Sequence, residues 1–308
     1  MRIGLCCVAL TACLLSLTCV VVVPPASAAT MEIVASTPEL ADIAKVIGGE
    51  VVDVYSIAKP NQDYHMIEPR PSDVARISRA YVVLKVGMDL DMWMDALINA
   101  SGNSQVMPGG AGFVDCSAGI TKLQVPTESI TGASGDIHVQ GNPHYFYDPY
   151  NAEIIAHNIV HGLNTVYPAG REYFNYRADW YIHEIDRLLR GWMKDLAPYQ
   201  GGQVVTYHES AVYFLKRFGL GQFGTLEVRP GIPPSAAHVQ NLIGAMKANG
   251  VRAIAVESIY PRQYPDMVAR ETGAREVIVP YSVGSMGTSS YFELIGKWVA
   301  KYKEALGG

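Results

Sequence analysis

Cysteine is scarce in this sequence, and its distribution excludes a disulfide-stabilised domain. The chain has 308 residues and five cysteines, four of which fall in an apolar stretch at the very start, so that only Cys116 remains in the rest of the chain. A single cysteine cannot form an intramolecular disulfide. Cys116 follows a short apolar segment, residues 112–114, and we expect it to be a buried small apolar residue.

Positive charge is also limited. Lysine and arginine number 24 against 29 aspartates and glutamates, which gives a formal net charge of −5. A mildly acidic chain lacks the basic surface that nucleic-acid binding requires, so we expect no nucleic-acid partner. The sequence also has no H-E-x-x-H motif of the kind that zinc hydrolases carry on a helix, and no internal repeat.

The long apolar run of the chain lies at its beginning. Arg2 is the single charge before residues 3–23, which are apolar, and Pro24 and Pro25 then precede the small-residue sequence Ala-Ser-Ala. A basic start, an apolar segment and an A-x-A site are typical of a secretory signal peptide. We therefore predict a signal peptide over residues 1–28 that is cleaved after Ala28, and a periplasmic protein.

The remaining chain alternates between strand and helix patterns, which favours parallel-sheet α/β domains. Strands are predicted over residues 32–35, 51–57, 81–86, 112–116, 203–207, 252–256 and 276–280, and helices over 38–47, 74–79, 90–100, 151–163, 171–196, 210–218, 235–248, 264–272 and 291–305. Thr37 and Glu39 are expected to cap the first helix. The prediction is an N-terminal α/β lobe over residues 29–168, a long linker helix within 169–200, and a C-terminal α/β lobe over 201–308.

The stretch GNPHYFYDPYNA, residues 141–152, contains a histidine in a turn that opens a helix. Asn142 and Pro143 favour a turn, and Asp148 or Asn151 can cap the following helix, so His144 is expected to face solvent or a ligand. His65 and His208 each lie where a predicted strand gives way to a helix. Three histidines in such positions predict a metal site assembled across the α/β protein.

The other histidines give weaker indications. His157 and His161 are four residues apart, a spacing that can bind metal, but they lack a third partner in their segment and are expected on a solvated helix face. His138 precedes the His144 turn by six residues and is a candidate accessory ligand.

Five blocks of sequence, taken in order, resemble the periplasmic metal-binding proteins of zinc- and manganese-type ABC importers. The blocks are TPELADIAKVIGGE (37–50), DYHMIEPRPSDVARISRAYVVLKVG (63–87), GNPHYFYDPYNA (141–152), VVTYHESAVYFLKRFGL (204–220) and PGIPPSAAHVQNLIGAMKANGVRAIAVES (230–258). The resemblance implies two parallel-sheet α/β lobes joined by one long rigid helix, with a metal site in the cleft between them. It also implies a divalent metal ion as ligand, a membrane permease of an ABC importer as partner, and no enzymatic activity.

The resemblance further implies which residues bind the ion. His65, His144 and His208 match the ligand histidines of the family, whereas Tyr281 stands where the family usually has an aspartate. A phenol has a pKa of about 10 and is a poor ligand for a divalent ion near neutral pH. The fourth position is therefore left to Glu257, which ends a predicted strand, or to water; Glu209 is a candidate for orienting His208.

Three imidazole ligands favour Zn²⁺ over Mn²⁺, because manganese prefers oxygen donors. The prediction is thus a monomeric zinc-binding protein that delivers its ion to an ABC permease, with a manganese-specific protein of the same family as one alternative. A site of three histidines with an open position also resembles a catalytic zinc centre, so an exported zinc-dependent hydrolase is the alternative from another class.

Overall fold

The first lobe is built on a sheet of four parallel strands in the order β2-β1-β3-β4. The computed structural model describes residues 30–127, 138–229 and 231–307, so the predicted signal peptide lies outside the described residues. The strands are β1 (Met31–Ala35), β2 (Val52–Ser56), β3 (Val82–Lys85) and β4 (Phe113–Asp115), and the helices are α1 (Pro38–Gly48), α2 (Pro71–Ile77), α3 (Trp93–Ser101) and α4 (Pro149–Val166). Every residue of β3 is buried, as its apolar run indicates for a strand covered on both faces.

The second lobe repeats this arrangement with a parallel sheet in the order β6-β5-β7-β8. Its strands are β5 (Gln203–Thr206), β6 (Gly221–Thr225), β7 (Ala253–Glu257) and β8 (Arg275–Val279), and its helices are α6 (Val212–Arg217), α7 (Ala236–Asn249), α8 (Gln263–Thr272) and α9 (Tyr291–Leu306). The sequence interpretation missed β6. This edge strand reads GQFGT and is only half-buried, and glycine-rich segments carry little of the β-branched signal that identifies a strand.

One long helix, α5 (Arg171–Leu196), runs from the end of the first lobe to the start of the second, with the bounds that its apolar periodicity predicts. Its 26 residues extend about 39 Å at about 1.5 Å per residue. It packs against α1 and α4 and also against α9, where the rings of Tyr181 and Phe292 stack 5.0 Å apart. Of the helices in the described ranges, none is both long and apolar enough to cross a membrane.

Polar contacts join the two lobes close to the His144 turn. Arg217 donates two hydrogen bonds, of 2.8 and 3.0 Å, to the carboxylate of Asp148. The hydroxyl of Tyr213 donates to the carbonyl of Asn142 at 2.9 Å and accepts from the N–H of Leu123 at 2.9 Å. Because these contacts connect α6 to the turn that precedes α4, they hold the first-lobe loop against the second lobe.

Glu39 does not cap α1, contrary to the sequence prediction, and Thr37 makes no side-chain cap either. The Glu39 carboxylate is 0% exposed and accepts hydrogen bonds from the Tyr64 hydroxyl at 2.8 Å and from the Val283 N–H at 3.1 Å. Burial raises the pKa of Glu39 to about 7. This glutamate therefore links α1 to the second lobe from within the protein.

Candidate metal centre

Two of the predicted ligands follow parallel strands at their carboxyl ends. His65 lies in a 3₁₀ turn, Tyr64–Met66, that comes after β2, and His208 comes two residues after the end of β5. The carboxyl ends of the strands in a parallel sheet share one edge, which is where open α/β folds bind ligands. Because the two histidines come from different sheets, they approach each other across the space between the lobes.

His144 precedes a 3₁₀ turn, Tyr145–Tyr147, at the entrance to α4. Asp148 caps α4 by accepting from the N–H of Tyr150, as one of the two predicted caps. His144 itself is only 1% exposed, so of the two predicted settings, solvent or a ligand, the structure excludes solvent. The three aromatic residues after it are fully buried, and their packing draws the turn into the protein.

The three histidines meet. The ring centroids lie 5.3 Å apart for His65 and His144, 5.4 Å for His65 and His208, and 5.1 Å for His144 and His208. One ligand atom from each ring lies within 4.8 Å of those of the other two. Among the described residues, no other group of three or more His, Cys, Asp or Glu side chains converges as closely.

The rings of His65 and His144 are held by the same local arrangement. Asp63 Oδ1 accepts from the backbone N–H of His65 at 3.0 Å and lies 2.7 Å from its Nδ1. Asn142 Oδ1 accepts from the backbone N–H of His144 at 3.0 Å and lies 3.1 Å from its Nδ1. An oxygen two residues before each histidine thus fixes the Nδ1 side of the ring and leaves Nε2 available to a metal.

His208 is held by a residue far away in sequence. Its Nδ1 lies 2.9 Å from Oε2 of Glu227, and both side chains are buried. The sequence interpretation named the adjacent Glu209 as a candidate for this role, and the observed partner is Glu227 instead. A carboxylate that accepts from a ligating histidine orients the ring and raises its basicity.

The Nε2 atoms of His65 and His144 are buried and have no hydrogen-bond partner within the described ranges. Buried polar atoms are nearly always satisfied, so an unpartnered atom requires an explanation such as a bound ion. Neutral imidazole nitrogens with the opposite ring nitrogen already hydrogen-bonded are the usual metal donors of proteins. The arrangement therefore fits a divalent transition-metal ion held by nitrogen.

The electrostatic environment differs between the rings. Burial, together with the neighbouring histidines, holds the pKa of His144 well below its usual value, so this ring is neutral at pH 7. Burial alone would also lower the pKa of His208, but the hydrogen bond and charge of Glu227 outweigh it and raise that pKa. The pKa of Asp63 is lowered, because the hydrogen bond and charge of His65 outweigh burial, which alone would raise it.

Glu257 and Tyr281 lie at the carboxyl ends of β7 and β8 and are 2% and 1% exposed. Ser210 donates a hydrogen bond to Oε1 of Glu257, while Oε2 has no partner among the described residues. Burial raises the pKa of Glu257 to about 7. Glu257 is not part of the converging group of three histidines.

The hydroxyl of Tyr281 accepts from the N–H of Tyr64 at 3.1 Å, and burial raises the pKa of its phenol well above 10.

Three further histidines, which the sequence analysis weighed as metal ligands, lie in two different settings. His157 and His161 are exposed on α4, in agreement with the prediction of a solvated face. His138 lies beside the site, with its ring centroid 5.3 Å from that of His65, although it is outside the converging group. Burial and the neighbouring His65 lower the pKa of His138 to about 4.

Comparison with known proteins shows which family the chain matches. The family of zinc-uptake complex component A, described as periplasmic, matches residues 33–305. Iron-binding protein YfeA of Yersinia pestis is 27% identical over 257 residues, which are 82% of this chain and 77% of that protein. The manganese ABC transporter substrate-binding lipoprotein PsaA of Streptococcus mitis is 24% identical over 254 residues, 80% of this chain and 78% of that one.

The fold is also found among solved structures. A crystal structure of ZnuA matches with a TM-score of 0.77, covering 90% of this chain and 99% of that chain at 23% identity. Members of the family are metal-binding proteins of transporters and not enzymes, which removes the alternative of an exported hydrolase. The matched residues extend from β1 into α9 and so include both sheets and all three histidines. The chain therefore belongs to the family of periplasmic component A of zinc-uptake complexes, the metal-binding substrate-binding proteins of ABC importers.

Proposed function

We propose that this protein captures Zn²⁺ outside the cytoplasm through His65, His144 and His208 and delivers it to the permease of an ABC importer. The observation that carries the proposal is the convergence of three ring nitrogens, two of them buried without a partner. Nitrogen ligands of this kind bind zinc at about 2.0–2.1 Å. Donors within 4.8 Å of one another can be drawn onto one ion by movement of the three rings.

The choice of zinc rests on the donor atoms. The relatives are named for iron and manganese as well as zinc, so family membership alone leaves the ion open among these metals. Three imidazoles suit zinc, whereas manganese prefers carboxylate, carbonyl and water oxygens. The neutral phenol of Tyr281 offers no anionic oxygen in competition.

We further propose that Glu257 supplies the fourth ligand. Its Oε2 is buried without a partner in the described chain, and its pKa near 7 allows it to ionise when a cation arrives. The charge of His208 already lowers the pKa of Glu257 against the effect of burial, which supports proximity between the two side chains. Since Glu257 lies outside the converging group, a water molecule is the alternative fourth ligand.

The same proposal includes the processing, location and oligomeric state of the protein. Cleavage of residues 1–28 would release a periplasmic monomer, with the lobes predicted over residues 29–168 and 201–308 and the linker over 169–200. The ion in the cleft would then be the cargo presented to the permease. Gel filtration of the processed protein checks the monomer.

The test is a zinc titration of protein prepared without metal, in competition with a chromophoric chelator at neutral pH. We expect one Zn²⁺ per chain. His144→Ala and His208→Ala should each weaken binding strongly, whereas His157→Ala, on the exposed face of α4, should not. The proposal fails if the protein does not compete with the chelator, or if all three variants lose affinity equally.

A further inference from the structure

We propose that Asn142 is a positioning residue that ties the ligand turns of the two lobes together: one end of its amide orients His144, and the other binds the backbone beside His208. The inference rests on the proposed function, because it concerns how the same zinc site is assembled. It gives Asn142 a role in holding the two ligands near each other before an ion arrives.

The side chain of Asn142 makes contacts in both lobes. Its Oδ1 faces His144, whose backbone N–H donates to it at 3.0 Å and whose Nδ1 lies 3.1 Å away. Its Nδ2 donates to the carbonyl of Glu209 at 2.8 Å and to Oε1 of Gln124 at 2.8 Å. Glu209 directly follows His208 in the turn after β5, so this amide connects the first-lobe turn to the backbone of a second-lobe ligand.

These partners fix which way the amide points. A backbone N–H can only donate and a carbonyl can only accept, so Oδ1 must face His144 and Nδ2 must face Glu209. Because Oδ1 only accepts, the neutral ring of His144 carries its proton on Nδ1 and keeps the lone pair of Nε2 free for a metal. The contact with the second lobe therefore supports the tautomer that can bind an ion.

Comparison with His65 shows what the amide adds. Asp63 Oδ1 accepts from the N–H of His65 and lies 2.7 Å from its Nδ1, so a carboxylate two residues earlier is sufficient to orient a ring. At position 142 a carboxylate would place an oxygen against the carbonyl of Glu209, where Nδ2 now donates at 2.8 Å, and two acceptors at that distance repel each other. The amide is thus explained by the contact between the lobes and not by the orientation of His144 alone.

The backbone around Asn142 is bound to the second lobe as well. Tyr213, on α6, donates from its hydroxyl to the carbonyl of Asn142 at 2.9 Å and accepts from the N–H of Leu123 at 2.9 Å. Asn142 is only 7% exposed, and its own N–H donates to the carbonyl of Leu123 at 2.8 Å. Of the three ligand pairs, His144 and His208 have the closest ring centroids, 5.1 Å apart. Holding these two rings together in advance reduces the cost of binding an ion between them.

The experiment compares Asn142→Asp with the wild-type protein and with Asn151→Asp. The first variant keeps an oxygen for His144 and loses the donor to Glu209. Asn151 is the matched control because it is also buried in the same segment, and its Nδ2 donates within the first lobe, to the carbonyl of Tyr145 at 3.0 Å. Asn142→Ser is an uncharged second variant, whose hydroxyl can still accept from the N–H of His144 but is too short to reach Glu209.

Zinc competition titrations give the first readout. We expect affinity to fall about tenfold in Asn142→Asp and Asn142→Ser, and to stay within about threefold of the wild type in Asn151→Asp. The direction for Asn142→Asp is informative, because a negative charge beside His144 would by itself favour a cation. If Asn142 only oriented the ring, this variant would bind zinc at least as tightly as the wild type.

Two NMR measurements on the metal-free protein at neutral pH give readouts that do not depend on zinc. Hydrogen exchange of the Leu123 N–H, which donates to Tyr213 in the other lobe, should be about tenfold faster in both Asn142 variants and unchanged in Asn151→Asp. Long-range proton–nitrogen spectra should show His144 protonated on Nδ1 in the wild type and in Asn142→Asp, which excludes a change of tautomer as the cause of weaker binding. Thermal unfolding checks that each variant is folded.

The inference is overturned if Asn142→Asp binds zinc as tightly as the wild type, if its Leu123 N–H exchanges no faster than in Asn151→Asp, or if its His144 changes tautomer. Failure of the proposed function gives a different result. A wild-type protein that binds no zinc refutes the zinc function, while the exchange of the Leu123 N–H in the metal-free variants still decides whether Asn142 connects the lobes.

Discussion

At the scale of single residues, two of the three proposed ligands are hydrogen-bonded to a carboxylate. Three neutral imidazoles leave the charge of a divalent ion uncompensated, but Asp63 and Glu227 stand behind His65 and His208 at hydrogen-bond distance. In the proposed zinc site, these pairs would place two carboxylates around the ion without either of them binding it.

Replacing the buried carboxylate tests this arrangement. Glu227→Gln keeps an oxygen that can accept from His208 Nδ1 and removes only the charge, so we expect zinc affinity to fall about tenfold. Glu227 raises the pKa of His208, so the variant should have a lower His208 pKa and weaker competition from protons. We therefore expect its zinc affinity to fall by a smaller factor between pH 8 and pH 5.5 than that of the wild type. Competition titrations between pH 5.5 and 8 measure both effects. Glu209→Gln is the matched control, and equal behaviour of the two variants would refute the role of Glu227.

The identity of residue 281 gives a second prediction. Tyr281 presents a neutral phenol, whereas an aspartate would offer an anionic oxygen of the kind that manganese prefers. We expect Tyr281→Asp to raise Mn²⁺ affinity by a larger factor than Zn²⁺ affinity, measured by competition with one chelator for both ions. Tyr281→Phe, which lacks the acceptor for the Tyr64 N–H, separates this gain from the loss of that contact. No change for either metal in Tyr281→Asp would mean that residue 281 does not face the ion.

The local part of the site could be predicted from sequence, and the distant part could not. His65, His144 and His208 stand out by their turns and by the resemblance, and the structure brings them together. The acceptors of His65 and His144 also have a local signal, an Asp or Asn two residues earlier, which the sequence interpretation overlooked. Glu227, the partner of His208, is 19 residues away in sequence. The pairing of β6 with β5 brings it close to His208, so no local pattern reveals it.

At the scale of secondary-structure elements, periodicity and propensity predict the long helix and the buried strands well. They fail at α1, where the proline and glutamate of the first turn match a capping pattern. The pattern is compatible with the helix start but says nothing about burial. Glu39 is instead enclosed between the lobes, because a hydroxyl from one lobe and an N–H from the other satisfy its carboxylate.

The buried position of Glu39 predicts a pH-dependent stability. Its pKa is about 7 in the folded protein against an ordinary value of 4.5, so folding favours the protonated form. The stabilisation is complete at pH below about 4.5 and is lost as pH rises to about 7, with a total of the order of 3 kcal/mol. Relative to the wild type, Glu39→Gln should therefore gain free energy of unfolding as pH rises from 5 to 7.5, measured by urea unfolding without metal. A difference that is constant across this range would contradict the burial of an ionisable Glu39.

At the scale of the whole molecule, the two lobes share a strand order although their sequences show no repeat. The first lobe contributes His65 and His144 to the converging group and the second contributes His208, while Glu257, the fourth ligand proposed above, ends a strand of the second sheet. The helix α5 and the contacts around Asp148 hold the lobes in this relation. The three converging histidines therefore come together only when both lobes are folded and in contact. The protonation states of residues in both lobes determine how many protons the site holds.

This balance gives a final prediction that also decides the fourth ligand. At pH 6.5 His208, whose pKa is raised, and Glu257, whose pKa is about 7, carry protons, whereas His144 is already neutral. An ion bound by His208 must displace the proton of that ring, and it displaces the proton of Glu257 only if Glu257 also binds it. Zinc binding should therefore release protons, and affinity should fall as pH decreases from 8 to 6. Calorimetry at pH 6.5 in two buffers of different ionisation enthalpy counts the protons released. If Glu257 ligates the ion, Glu257→Gln should release fewer protons and bind zinc more weakly than the wild type. An unchanged proton count with unchanged affinity would instead assign the fourth position to water, because a Glu257 that does not bind the ion keeps its proton in the zinc-bound protein.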